Sequence, residues 1–458
     1  MARDARDRID VHVARGGDGT IRIGTAPATR PATGSDIGSA FGHAEAYDDV
    51  VAVGPDFTWA VLDVAGAVLT WPVLGDPGPP SAEVHDPGRA QQWLWALYGE
   101  RVAAAVHDRA EGEPAGVRVA ADSTALAADA ARLGLGHWAA RWWPASYTDG
   151  IPALEPDVLG LELAALTHRC QQLFDADGDQ PDDCVAELIE DHQAALDPLI
   201  EWWRAASRSA DTARHLESVL RLIDDAADNA GLDGPALRRL RSSLDQRRPA
   251  GVPVDPGVLF ARHDGYALAA GERLVEGGRL IARGAGTNDW RRYPPGFVDA
   301  AENAVSWTAR ALGARRQIEV EAVAHGAAPT TGTSLVAEIH VNGGHPNRVP
   351  LARRDDVWTG LADVDLGPNP GLSAGAMPPR VEVGVLLPGF DPGPGPGPDR
   401  PGTSGEAVGR VDRDAIRTLV RQRLTAAAQP LAYDPLPHDA SLGPFLAETA
   451  AVATDEDY

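Results

Sequence analysis

At 458 residues, 44% of them hydrophobic, the chain is too long for one ordinary core and too apolar to remain disordered. Its formal net charge of −25 repels polyanions and disfavours nucleic acid and anionic membranes as partners. No apolar run approaches the ~20 residues of a membrane span, and two cysteines, Cys170 and Cys184, are too few for a disulfide framework.

Residues 1–150 read as a mixed α/β domain. The charged start, Met1 to Asp10, lacks the apolar stretch of a secretory signal, so a cytoplasmic location is expected. Short β-like runs follow at Ile9–Val13, Ile21–Gly24 and Val50–Val53. Thr58–Val64 and Ala67–Val73 flank Ala65-Gly66, a hairpin turn signal. Beyond the breaker Gly75–Pro80, helical periodicity over Arg89–Arg109 sets Trp93, Leu94, Leu97, Val102 and Val106 on one face. Val117–Ala121 reads as a strand, and Ser123 as the cap of a helix ending before Pro144.

Residues 151–250 are helical in period. Leu159–Phe174, Cys184–Ser207, Thr212–Ala230 and Pro235–Gln246 suggest a small antiparallel bundle. Residues 255–390 switch to period two over Gln317–Ala324, Leu335–Val341, Val357–Leu366 and Arg380–Leu387, the pattern of an antiparallel sheet or sandwich. Val258–Ala261, Tyr266–Ala269 and Arg279–Ala282 add candidate strands, and Val298–Leu312 a helix. A Pro/Gly linker at 391–411 leads to 412–458, an amphipathic helix with Leu419, Val420 and Leu424 on one side and an acidic tail. The expected fold class is therefore multidomain α+β: a mixed α/β domain, a helical middle and an antiparallel β-rich C-terminal domain.

The chain contains no lysine, so all 41 basic residues are arginine. A GC-rich gene and selection against a reactive amine both explain this, and either way lysine chemistry is excluded. The densest basic run, Arg238, Arg239, Arg241, Arg247 and Arg248, lies near Asp224, Asp225, Asp228 and Asp245 and reads as a solvated helix face.

The order hairpin, long helix, strand ending in Asp-Ser, Trp-rich helix resembles a degenerate ribonuclease H fold. The matching segments are Thr58–Val73, Ala90–Val106, Val117–Ser123 and His137–Trp143. That family's activity needs carboxylates converging on two divalent metals. The resemblance carries over only Asp122 as a candidate catalytic residue. Ala26 stands where the first acid belongs, and Gln91 or Gln92 where a Glu is usual. An incomplete ligand set implies a dead site.

Asp175–Asp183 resembles the start of an EF-hand loop, with Asp175, Asp177 and Asp179 as candidate calcium ligands. Gln180 replaces the turn glycine and Ala186 the final acid. The 13 histidines are scattered, and no phosphate loop, nucleophile elbow, zinc spacing or dinucleotide motif occurs, so no cofactor is expected. Tryptophan is plentiful at 12 residues, including the doublets Trp142-Trp143 and Trp202-Trp203. Adjacent helical residues cannot both face one core, so each doublet is expected to leave one ring near the surface. Trp142, Trp143 and the loop Trp290, Arg291, Arg292 and Tyr293 are the candidate partner contacts. The reading that follows is a non-catalytic interaction or adaptor protein with protein partners. The alternatives are a metal-dependent nuclease or phosphotransferase centred on Asp122, and a calcium-regulated module.

Overall fold

The computed structural model describes residues 9–25, 56–75, 78–111, 116–122, 124–174, 185–205, 210–246, 254, 256–260, 278–325, 334–365, 380–390, 405–429 and 443–452. The expected elements at Val50–Val53 and Tyr266–Ala269, the linker 391–404 and the acidic tail lie outside them. The chain forms two compact units that interleave in sequence. The first comprises Met1–Ala140, Glu155–Phe260 and Gln422–Tyr458; the second comprises Arg141–Leu154 and Ala261–Arg421. Residues 155–260 share one unit with the N-terminal sheet. The α+β class stands.

In the first unit, β1 (Ile9–Arg15), β2 (Ile21–Thr25), β3 (Trp59–Val64), β4 (Ala67–Pro72), β5 (Ser81–Val84) and β6 (Val117–Ala121) form one sheet in the order β3-β4-β5-β2-β1-β6. Period-two alternation buries Val11, Val13, Ile21, Ile23, Ala60, Leu62, Leu69 and Trp71. The hairpin turns at Gly66, whose φ of 73° suits glycine. Strand β5, close behind the breaker, was hidden by it. Every pairing in this sheet is antiparallel, including β1 with β6.

The expected long helix is two: α1 (Pro87–Tyr98) and α2 (Glu100–Glu111). Asp86 caps α1 by accepting from the Gly88 and Arg89 amides at 3.0 and 3.1 Å. Gly99 ends it at φ 91°, ψ 167°, a conformation essentially confined to glycine. A Cβ there would stand 2.4 Å from Asp122 Oδ2. Gly99→Ala is accordingly expected to cost the first unit about 2 kcal/mol in urea unfolding, from strain and displacement of Asp122. Tryptophan and tyrosine handles tie helices to the sheet: Trp93 Nε1 donates to Ala65 O at 2.9 Å, and Tyr98 Oη to Pro80 O at 2.9 Å.

Helix α3 (Ala125–Trp142) is capped by Thr124, whose Oγ1 accepts from the Ala127 amide. Then come α4 (Pro156–Arg169), α5 (Val185–His192), α6 (Leu196–Arg204), α7 (Ala210–Asn229), α8 (Pro235–Asp245) and α9 (Pro256–Phe260). The segment expected as a strand from Val258 is thus helical up to Phe260. Trp202 and Trp203 are both buried, contrary to expectation, because α6 packs against α7, α8 and α9 at once. The ring of Trp202 meets Phe260 edge-on at 6.0 Å.

The second unit holds β7 (Arg279–Ala285), β8 (Val305–Leu312), β9 (Arg315–Val323), β10 (Leu335–Val341), β11 (Asn347–Arg354), β12 (Val357–Asp363) and β13 (Val381–Leu386). They form an antiparallel sheet ordered β13-β10-β11-β12-β9-β8-β7 that curls into a half-barrel. The two edge strands approach where the Thr287 amide donates to Val383 O at 2.7 Å. The expected helix at Val298–Leu312 is replaced by β8 from Val305 onward. Val305, Trp307 and Ala309 point inward and alternate with Ser306, Thr308 and Arg310, so period two prevails over the alanine content. Helix α10 (Gly405–Ala428) begins in this unit, and α11 (Leu446–Val452) belongs to the first. Ile416, Val420 and Leu424 of α10 are buried within the chain itself. Among the described residues no helix is long and apolar enough to cross a membrane.

Candidate functional site

The sequence-selected aromatics of the second unit converge. Arg141, Trp142, Trp143 and Pro144 line one open cleft together with Trp290, Tyr293 and Pro295. Its floor is fixed from below. Trp143 Nε1 donates to Pro152 O at 2.9 Å, and Tyr293 Oη donates to Asn288 Oδ1. Asn288 is fully buried and its amide donates to the carbonyls of Asp299 and Ala301 at 2.9 and 2.7 Å. Burial pushes the Tyr293 phenol well above its ordinary range, so it remains a neutral donor. On the rim, the Arg141 guanidinium lies 4.2 Å from the centre of the Trp142 ring and 4.7 Å from that of Phe390.

A single buried carboxylate organises the wall. Asp299 Oδ1 accepts from Ser146 Oγ at 2.7 Å and from the Ala301 amide at 2.9 Å, and Oδ2 accepts from the Tyr147 amide at 2.8 Å. The Ala300 amide donates to Ala145 O at 3.1 Å, so the loop around 299 is stitched to the segment carrying Trp142 and Trp143. Arg413 and Arg417 of α10, each 4% exposed, hold Glu302 on the other side of that loop; Arg413 Nε stands 2.5 Å from Glu302 Oε1.

Several expected contacts take other roles. Trp290 and Tyr293 are buried, as is Trp143, and only Trp142 of the four rings is half-exposed. Arg291 is bound through two nitrogens to Asp289 at 2.9 Å each. Burial favours a protonated Asp289, but these bonds outweigh it and hold its pKa below the ordinary carboxylate value. Arg292 pairs with Glu338. Both arginines of the loop are thus engaged internally. Sequence reading missed Arg141, Pro144 and Phe390 on the rim; the signal was the unbroken run Arg141-Trp-Trp-Pro144, read only for its tryptophans.

Asp122 stands exposed at the end of β6, its amide bonded to Tyr98 O at 2.9 Å. Among the described residues, no group of three or more His, Cys, Asp or Glu is placed to hold a metal ion. Asp175, Asp177 and Asp179 lie outside the described residues. The arginine run on α8 is occupied by acids: Arg238 by Asp233, Arg239 by Asp197, and Arg241 by Asp224 and Asp228.

The first unit contains a second charged cluster, which no motif announced. Glu162 of α4 is 1% exposed and accepts from Arg132 Nη2 at 2.8 Å and from the Leu446 amide at 2.7 Å, with His215 Nε2 at 3.0 Å. Burial alone would raise its pKa, but His215 and Arg132 outweigh that and bring it down to about 2. The folded pKa lies below the ordinary 4.5, so the stabilisation is complete above about pH 4.5 and is lost as pH falls through 2. The shift corresponds to roughly 3 kcal/mol. Urea midpoints followed from pH 6 to pH 2 are expected to fall across that window, and Glu162→Gln is expected to flatten the fall.

A scan of the chain against protein-family models, a search of curated proteins and a search of solved structures each returned no match.

Proposed function

We propose that this chain is a non-catalytic interaction protein that binds a protein partner through the cleft of the second unit. One observation carries the reading: tryptophan, tyrosine and proline side chains from two separate stretches of sequence meet around one opening, and the polar ends of Trp143 and Tyr293 are already hydrogen-bonded beneath it. Such a surface is ordered before binding, which lowers the entropy cost of association. The opening holds about 30 Å³, room for one small apolar group of a partner. Aromatic-lined grooves of this kind receive extended proline-containing segments, whose backbone is preset. The half-exposed Trp142 and the Arg141 beside it form the rim a partner would meet first.

The test is affinity capture from the native cells with tagged wild-type chain and with Trp142→Ser. A partner recovered near equal stoichiometry by the wild type is expected to fall at least tenfold with the variant, since buried tryptophan contacts typically contribute ~2 kcal/mol or more. Both chains should melt at the same temperature. Equal recovery by the two would remove the cleft from the interaction.

A further inference from the structure

The residues 443–452 lie in the first unit as a bound peptide would lie in its groove. Phe445 is fully buried and its ring is contacted by two guanidiniums, Arg132 at 4.7 Å and Arg423 at 5.4 Å from its centre. Gly136 of α3 makes the room: a Cβ there would sit 3.4 Å from Phe445 Cζ and 2.5 Å from Leu163 Cδ2. Arg132 donates to the carbonyls of Gly443 and Pro444 at 2.9 and 3.1 Å, and Glu162 accepts from the Leu446 amide. Glu448 is 0% exposed and bound through both oxygens by Arg423, at 2.6 and 2.8 Å, while Oε2 also takes the Phe445 amide. The groove therefore reads an aromatic ring, an acid three residues later, and backbone atoms at 443, 444 and 446.

We propose that this groove is a recognition site for the segment 443–452 and that it accepts that segment from a second copy of the chain, so that two copies exchange C-terminal segments. The segment is joined to α10 only through residues 429–442, fourteen positions, and its docking contacts are the same whichever copy supplies it. Exchange then costs association entropy alone. A segment tethered over this length competes at an effective concentration on the order of millimolar. The exchanged form therefore gains ground at high chain concentration or once the tether is severed.

The test uses the full-length chain with a specific protease site placed between Gln429 and Gly443, cut or uncut, and a fluorescein-labelled peptide of residues 441–454. The cut chain is expected to take up the peptide saturably and the uncut chain far less. Peptides carrying Phe445→Ala or Glu448→Gln should bind at least tenfold more weakly. Light scattering of the uncut chain should show dimer growing towards ~1 mM, with Phe445→Ala abolishing it. Failure of the cut chain to exchange peptide, or equal uptake of the Phe445→Ala peptide, would overturn recognition. Specific peptide uptake with an uncut chain that stays monomeric at every concentration would overturn the second copy as occupant.

Discussion

Arg132→Met is expected to destabilise the first unit by about 3–5 kcal/mol, the usual cost of removing one partner of a buried ion pair. The variant strips Glu162 of its 2.8 Å donor while leaving the carboxylate 1% exposed. It also releases the carbonyls of Gly443 and Pro444 and one face of the Phe445 ring. In calorimetry the first transition should fall by on the order of ten degrees. The double variant Arg132→Met with Glu162→Leu should regain much of that loss, because the penalty of an uncompensated charge is gone. A single variant melting within two degrees of wild type would show that solvent reaches Glu162 and that the pair contributes little. Arg132→Lys should behave nearly as badly as methionine, since an ammonium cannot serve Glu162 and two carbonyls in one plane while stacking on a ring.

The second large effect is expected from Asp299→Ala. Ser146 Oγ and the Ala301 amide are held by one carboxylate oxygen, and the Tyr147 amide by the other. Each orphaned buried donor costs ~1–3 kcal/mol, so a total of about 4 kcal/mol is expected for the second unit. Asp299→Asn keeps one acceptor but turns an amide donor towards another donor, and should lose about half as much. Asp299 ties the loop 299–301 to the stretch behind Trp142 and Trp143, so partner capture should fall with both variants in proportion to the disorder introduced. Retained capture by a destabilised Asp299→Ala chain would separate the cleft from the interaction as firmly as an inert Trp142→Ser.

The parts of the fold that were legible are those where one periodicity governs a whole element. Gln317–Ala324, Leu335–Val341 and Arg380–Leu387 alternate cleanly and became β9, β10 and β13. Legibility failed where a local signal was overruled. Gly99 breaks an otherwise continuous helical pattern because Asp122 occupies the space a side chain would need. The alanines before Trp307 suggested a helix, but a β-branched or aromatic residue at alternate positions found a sheet to join. Trp202 and Trp203 are both covered because several helices surround α6, which no local rule reveals. For the cleft, the composition of 142–143 and 290–293 was readable, but their convergence depends on Asp299 and Ser146, 153 positions apart. The groove of the first unit was not readable at all. Its contacts join Arg132 to Gly443 across 311 residues, and Phe445 looks ordinary in the sequence.

The interleaving of the two units has a consequence for the chain as it leaves the ribosome. The sheet and helices up to 260 emerge early, but the groove between Arg132 and Glu162 stays empty until residues 443–452 follow. The second unit likewise opens at Arg141 and closes only with α10. Neither unit can finish during synthesis of its own first half, so folding of both waits until residues 405–452 have been made. Until then Glu162, already paired with Arg132 and His215, lacks the Leu446 amide, and the space beside Gly136 lacks the Phe445 ring. Pauses in translation within 261–421 should therefore lower the yield of a unit to which those residues do not belong.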